Sequence, residues 1–286
     1  MTGPETVIAV IGAGTMGRGI AYVALVAGYT VSLHDADADA LGAAIGRIGA
    51  AFDKGIERGK VIPEQRDAAL AQLTVATDLA TALGGAGIVI EAVPERIQLK
   101  REIFRAAEER APAGALLATN TSSLPVSSIA DAVADPGRVV GLHFFNPVPA
   151  MRLVEVVRGR ETTDATIARA RSFAESLGKE PIVVRDSPGF ATSRLGVVLG
   201  LEAIRMVEQG VASPEAIDRA MELGYNHPMG PLRLGDIVGL DVRLAIADHL
   251  HATLGGDTYR APELLRRMVA EGRLGQKSGE GFYRWS

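Results

Sequence analysis

The stretch that most restricts this chain is Val7 to Asp35, VIAVIGAGTMGRGIAYVALVAGYTVSLHD. Its pattern predicts a strand over Val7–Ile11, a glycine turn, a helix over about Thr15–Ala27 ended by Gly28, and a second strand over Thr30–Leu33 closing on an acid. Gly12, Gly14 and Gly17 stand in the G-x-G-x-x-G spacing. After a strand and before a helix, the first glycine permits a tight turn and the second lets backbone approach a pyrophosphate. The third lets the helix pack closely on the strand. The unpaired N–H groups around Thr15 and Met16, with the helix dipole, then hold the phosphates. Asp35 falls eighteen residues after Gly17, where a carboxylate can accept hydrogen bonds from an adenosine ribose. It would repel a 2′-phosphate, so the expected cofactor is NAD rather than NADP. Glycines alone also mark ordinary turns; strand, glycines, helix, strand and acid in this order point to a dinucleotide.

Further strands and helices alternate after Asp35. An alanine-rich helical segment runs from Ala36 to about Gly59, and its end carries Lys54, Glu57, Arg58 and Lys60. These charges read as a solvated face, or alternatively as a contact for a polyanionic substrate tail. Pro63 and Glu64 suit the first turn of another helix before a short strand at Leu73–Ala76. Gly87–Val93 is an apolar run ending beside acids, the form of a strand buried on both faces of a parallel sheet. A charged helix over Glu95–Arg110 and a strand over Ala115–Thr119 follow. The expected fold is therefore α/β, a Rossmann-like doubly wound sheet whose ligands gather beyond the carboxyl ends of the strands.

Polar residues stand at those ends: Glu91 and Glu95, then Asn120-Thr121-Ser122-Ser123, then His143 and Asn146 after Val139–Leu142. Asn120–Ser123 could simply make a turn or cap a short Pro125–Ala130 helix, and His143 could be a hydrogen-bonded core histidine. Glu155 shifts that balance, because a carboxylate inside the apolar strand Leu153–Val157 is costly unless paired. A histidine on a neighbouring strand could pair with it and act as a general base. Sequence alone does not show whether the two strands are neighbours.

Past the strand Pro181–Val184 the composition turns helical, which puts a domain boundary near Arg185–Pro188: residues 1–185 form the sheet domain and 186–286 a smaller all-helical one. Phe190–Glu208 is an unusually apolar helix, expected in a core or against a second subunit. Gly196 and Gly200 would admit another helix to its surface. Helices are expected from Ser213-Pro214 to Leu223, over about Leu240–Leu254 and over Ala261–Glu271, with a possible strand at Gly281–Trp285. Arg194, Glu202 and Arg205 make that apolar helix a poor membrane span. A net charge of −4 offers no attraction to nucleic acid or anionic lipid. The absence of cysteine excludes disulfides and zinc–thiolate sites, no metal is expected, and no leader pattern precedes the first strand; a cytoplasmic location is the expectation.

Several segments then stand in a recognisable order: IGAGTMGRGIA at the start, NTSSLPVSSIA at 120–130, GLHFFNPVPAMRLVEVV at 141–157, DSPGFATSRL at 186–195, NHPMGPLRLGDIVGLD at 226–241 and GQKSGEGFYRW at 275–285. Over nearly its whole length the chain resembles the 3-hydroxyacyl-CoA dehydrogenase family, in its single-function 3-hydroxybutyryl-CoA form. HFFNP followed by VEVV is far more specific than the glycine turn. The resemblance implies an NAD-binding domain, then a helical domain that closes on substrate and builds a homodimer. It also implies reversible oxidation of a short-chain (S)-3-hydroxyacyl-CoA to the 3-oxoacyl-CoA. Carried over by position, His143 takes the 3-hydroxyl proton, Glu155 orients and charge-balances it, Ser122 hydrogen-bonds the reacting oxygen, and Asn146 lies beside the substrate. Glu95, Lys100 and Asn120 fall at cofactor positions, the first two around the nicotinamide ribose, and Lys54 in a segment that can meet the CoA phosphates. One position departs: Ser193 stands where the family usually has Asn, which bears on acyl-chain preference and rate. Two rival readings are a related dehydrogenase of a non-thioester hydroxy acid and a non-catalytic NAD-binding protein.

Overall fold

The computed structural model describes residues 6–285. They divide into two compact units at Ser187/Pro188. The first is an eight-stranded sheet in the order β3-β2-β1-β4-β5-β6-β7-β8. The strands are β1 (Val7–Ile11), β2 (Thr30–His34), β3 (Leu73–Ala76), β4 (Ala86–Glu91), β5 (Leu116–Thr119), β6 (Val139–Phe144), β7 (Leu153–Arg158) and β8 (Glu180–Arg185). Helices α1 (Thr15–Val26), α2 (Ala38–Glu57), α3 (Pro63–Ala71), α4 (Leu79–Leu83), α5 (Ile97–Arg110), α6 (Val126–Ala130) and α7 (Asp164–Ser176) connect them. The order reverses between β1 and β4, which makes their carboxyl ends the crevice of a Rossmann-like fold. β3 through β6 run parallel to β1, as buried apolar strands do when helices cover both faces. β7 breaks the rule: it pairs antiparallel with β6, and β8 then runs parallel to β7.

Two helices of this unit had no sequence-based counterpart. α7 buries Ile167, Ala170, Phe173 and Ala174, a helical stripe that short alanines make hard to see. α4 is a single short helix capped by Asp78, whose carboxylate accepts the Thr81 N–H. The first unit keeps Asp186 because its carboxylate accepts the N–H groups of Val126 and Ser127 at 3.0 and 2.7 Å. A cap for α6 therefore arrives from sixty residues away, and neither Ser122 nor Ser123 serves as one.

The second unit contains α8 (Thr192–Glu208), α9 (Pro214–Tyr225), α10 (Pro231–Val238), α11 (Leu240–Leu254) and α12 (Glu263–Ala270). α10, hidden among Gly and Pro, is a helix that periodicity missed. α8 buries Val197, Gly200, Leu201, Ala203 and Ile204. Gly200 does not serve a bare helix approach, because a Cβ there would stand 2.0 Å from the Arg243 guanidinium, which reaches across from α11 to donate to the Gly196 carbonyl at 2.8 Å. The glycine clears space for a buried arginine, whose pKa burial lowers to about 10. Gly281–Trp285 is not a strand; only isolated bridges join Gly275 to Glu280 and Glu280 to Arg284. The buried Asp236 carboxylate explains this, since it captures the N–H groups of Phe282 and Tyr283 and the Trp285 indole at 2.9–3.0 Å. Among the described residues, no helix is long and apolar enough to cross a membrane.

Candidate active site

The glycine turn has the shape that a dinucleotide requires. Gly12 adopts φ +104°, and a Cβ there would lie 2.7 Å from the Ala92 carbonyl. At Gly17 a Cβ would lie 1.7 Å from the Gly12 carbonyl oxygen, so α1 can sit this close to β1 only with glycine. At Gly14, apart from its chain neighbours, no atom of the described residues lies within 4 Å of the added Cβ, which leaves the turn open on that side. α1 begins after Gly14 with no side-chain cap among the described residues and no acid in its first turn. The N–H groups of Thr15, Met16 and Gly17 have no intrahelical acceptor by position and suit an anion. The Met16 side chain packs against the core, so its backbone is what it can offer a cofactor. Asp35 lies just past β2; one oxygen accepts the Ala13 N–H at 2.8 Å and the other the Asp37 N–H at 3.1 Å. The acid expected at the ribose thus also fastens the turn. These residues fit NAD.

On the other side of the crevice, Glu91 ends β4 fully buried. Its carboxylate accepts from the Lys100 ammonium at 2.6 Å, the Thr119 hydroxyl at 2.7 Å and the Val93 N–H at 2.8 Å. Burial pushes its pKa up and Lys100 opposes that push. Glu95 faces the same ammonium at 3.1 Å. Its other oxygen gathers the turn after β5, accepting the Thr121 hydroxyl at 2.6 Å and the N–H groups of Ser122 and Ser123 at 2.9 and 3.1 Å. Burial would raise the Glu95 pKa, but Lys100 and these hydrogen bonds overcome it and hold the carboxyl at about 2. Lys100 is buried, and its three protons are matched by Glu91, Glu95 and the Val93 carbonyl. Its donor capacity is therefore engaged within the chain. Sequence reasoning noted Glu91 only as an acid after a strand; its burial at the end of an apolar run was the available signal.

Antiparallel pairing puts His143 of β6 directly opposite Glu155 of β7. His143 Nδ1 lies 2.7 Å from the carboxylate, Glu155 is fully buried and His143 nearly so. The imidazole also packs on the Phe145 ring at 4.5 Å between centroids. A buried carboxylate beside Nδ1 favours the tautomer protonated at that nitrogen, the arrangement that a general base acting through Nε2 needs. The Asn120 side-chain carbonyl accepts the Phe144 N–H at 2.9 Å, tying the end of β5 to the end of β6 beside His143. Asn146 is exposed in the loop after β6 and shares a small cavity with Thr15, Arg18 and Tyr22. Ser122 is exposed, with its hydroxyl 3.4 Å from Glu95. Ser193 lies half-buried in the first turn of α8, in the second unit.

A cleft of about 740 Å³ runs along the first unit between the α1–α2 side and the loop after β6. Lys54, Arg58, Lys60, Arg152 and Lys179 line it together with Tyr22, Pro147 and Met151. Sequence reading missed Lys179, whose ammonium donates to the Val148 and Met151 carbonyls and so braces the loop that carries Asn146. Burial lowers its pKa. No side chains that could together hold a metal ion occur among the described residues.

Comparison with known proteins decides the lineage. Residues 7–187 match the 3-hydroxyacyl-CoA dehydrogenase NAD-binding domain, and residues 189–285 match the C-terminal domain of the same family. The chain belongs to the 3-hydroxyacyl-CoA dehydrogenase family. A probable 3-hydroxybutyryl-CoA dehydrogenase of Deinococcus radiodurans is 45% identical over 96% of this chain and 99% of its own. The solved (S)-3-hydroxybutyryl-CoA dehydrogenase of Ralstonia eutropha superposes with a TM-score of 0.95 at 38% identity, covering 99% of both chains. A diketoreductase acting on dicarbonyl compounds is more distant, at 33% identity and a TM-score of 0.86 over all of both chains. Family membership thus rests on both units, as the motifs spread from residue 11 to residue 285 implied.

Proposed function

We propose that this chain catalyses the reversible oxidation of a short-chain (S)-3-hydroxyacyl-CoA to the 3-oxoacyl-CoA, coupled to reduction of NAD. The hydrogen bond between His143 and the buried Glu155 carries this reading. Alcohol oxidation needs an acceptor for the hydroxyl proton, and an imidazole is the side chain suited to that work near neutral pH. His143 Nε2 takes the 3-hydroxyl proton as the C3–H bond breaks and its electron pair departs as hydride. Bound NAD supplies the hydride acceptor. Glu155 balances the imidazolium that results. Ser122, oriented through Glu95, donates to the oxygen as it becomes a carbonyl, and Asn146 holds the substrate beside it. Ser193 would contact the acyl portion in place of the family's usual amide. Lys54 and the basic cleft around it suit the CoA phosphates, since separated cations beside apolar walls match a phosphorylated, partly apolar tail.

The decisive assay follows NADH consumption with acetoacetyl-CoA and with free 3-oxo acids. Turnover of the thioester alone supports this reading. Preference for the free acid or a plain diketone would favour the second reading, a non-thioester dehydrogenase, for which the diketoreductase likeness is the specific support. NADH binding without turnover of any of them would leave a cofactor-binding protein.

The same reading includes a homodimer built by the second unit and a cytoplasmic location. Leu195 and Leu199 of α8, Leu234, Ile237 and Val238 of α10 and Val242 of α11 are all well exposed, more apolar surface than a small helical unit usually leaves to water. Sedimentation at micromolar concentration tests this; a monomer removes the dimer from the proposal.

Asp35→Arg should raise the ratio of NADP to NAD affinity by removing the carboxylate that repels a 2′-phosphate. It should also weaken NAD by about tenfold or more, because a hydrogen bond to a charged group is worth about 1.5–3 kcal/mol and Asp35 accepts two that shape the turn. Titration with both cofactors measures the two effects; an unchanged NADP to NAD ratio overturns the ribose assignment.

A further inference from the structure

A dinucleotide lying across this crevice has a defined direction. Asp35 past β2 takes the adenosine side and α1 takes the pyrophosphate, so the nicotinamide half extends over the ends of β4 and β5. Those ends hold Glu91, Lys100 and Glu95, joined by one ammonium between two carboxylates at 2.6 and 3.1 Å. Two negative charges and one positive leave the group with one net negative charge. All the partners of Glu91 donate to it, which is the environment of an ionised carboxylate. Water screens this charge weakly, since Glu91 and Lys100 are buried. The oxidised nicotinamide ring carries a positive charge and the reduced ring is neutral. A net negative charge near a bound nicotinamide would therefore act on the oxidised form and not on the reduced one.

We propose that the Glu91–Lys100–Glu95 triad sets the balance between NAD+ and NADH affinity, with Glu91 as the positioning residue that anchors Lys100 and, through it, Glu95. The idea rests on the dinucleotide reading given above. It assigns Glu91 two effects that a purely structural acid would not combine. It supplies half of the negative charge, and it fixes the ammonium that keeps Glu95 pointed at the 121–123 turn.

The test is equilibrium titration of the whole protein with NAD+ and with NADH, for wild type, Glu91→Gln and Glu95→Gln. Glutamine keeps the size of glutamate and removes one charge, which makes the triad neutral. Wild type should bind both forms, and Glu91→Gln should raise the ratio of Kd for NAD+ to Kd for NADH about three- to tenfold, the size expected for a unit charge several ångströms away at intermediate screening. If Glu91→Gln does not fold, judged by its thermal transition, Glu95→Gln removes the same charge from the more exposed side and must move the ratio the same way. A ratio that stays at the wild-type value, or two constants that weaken in parallel, makes Glu91 merely structural and overturns the proposal. Wild type failing to bind either form would instead defeat the dinucleotide reading itself.

Discussion

Replacing His143 with alanine should lower kcat by roughly 10²–10⁴-fold, the usual worth of a positioned general base, while NAD affinity stays near wild type. The two effects separate because the imidazole contacts Glu155 and Phe145, whereas the cofactor turn is built from β1, α1 and Asp35. The replacement strips the buried Glu155 carboxylate of its 2.7 Å imidazole partner. A fall in thermal stability should therefore accompany the loss, of about 1–3 kcal/mol for a buried acceptor deprived of one hydrogen bond. Stopped-flow measurement of hydride transfer, beside an NADH titration, distinguishes a chemical defect from a binding one. Undiminished turnover would remove His143 from the mechanism and take Glu155 with it.

The second large effect concerns Gly17. An alanine Cβ there would stand 1.7 Å from the Gly12 carbonyl oxygen and 2.9 Å from its carbon, both backbone atoms. Gly12 cannot retreat, since its own Cβ position abuts the Ala92 carbonyl at 2.7 Å and its N–H donates to the His34 carbonyl at 2.7 Å. Overpacking against side chains costs about 1–3 kcal/mol because they can yield; a boxed backbone should put Gly17→Ala at or above the upper end. For a unit of this size about 3 kcal/mol corresponds to a drop in Tm of roughly 6–12 °C. Gly14→Ala makes the informative contrast. Its added methyl meets no described atom beyond its chain neighbours within 4 Å, so stability should hold while NAD affinity falls, because the methyl occupies the approach to the phosphates. Calorimetry and NAD titration on both variants check this. A Gly17→Ala protein with wild-type stability, or a Gly14→Ala protein with wild-type affinity, would show that the turn is not used in this way.

The two variants also separate two kinds of information. The glycine spacing was legible in the sequence because a close backbone approach leaves a residue-type signature that no other side chain can imitate. The buried parallel strands were legible for a related reason: a strand covered on both faces must be largely apolar, as in Val7–Ile11 and in Ala86–Glu91 up to its terminal acid. The same logic exposed Glu155 as an expensive acid in need of a partner. It offered His143 as that partner but could not make the two strands neighbours, and α7 and α10 escaped because alanine, glycine and proline blur a helical stripe.

Local chemistry in the chain thus determined the α/β architecture, the cofactor class suggested by the glycine turn, and the short set of polar residues at strand ends. Tertiary structure alone decided which of them meet. The reversal of β7 brings Glu155 opposite His143, the fold carries Asp186 to the start of α6, and it buries Lys100 between Glu91 and Glu95. The physical reason is one of range. Backbone sterics and hydrophobic period act over a few residues and are written locally, whereas the pairing of buried charges depends on which distant strands become neighbours, and that is settled only when the sheet closes.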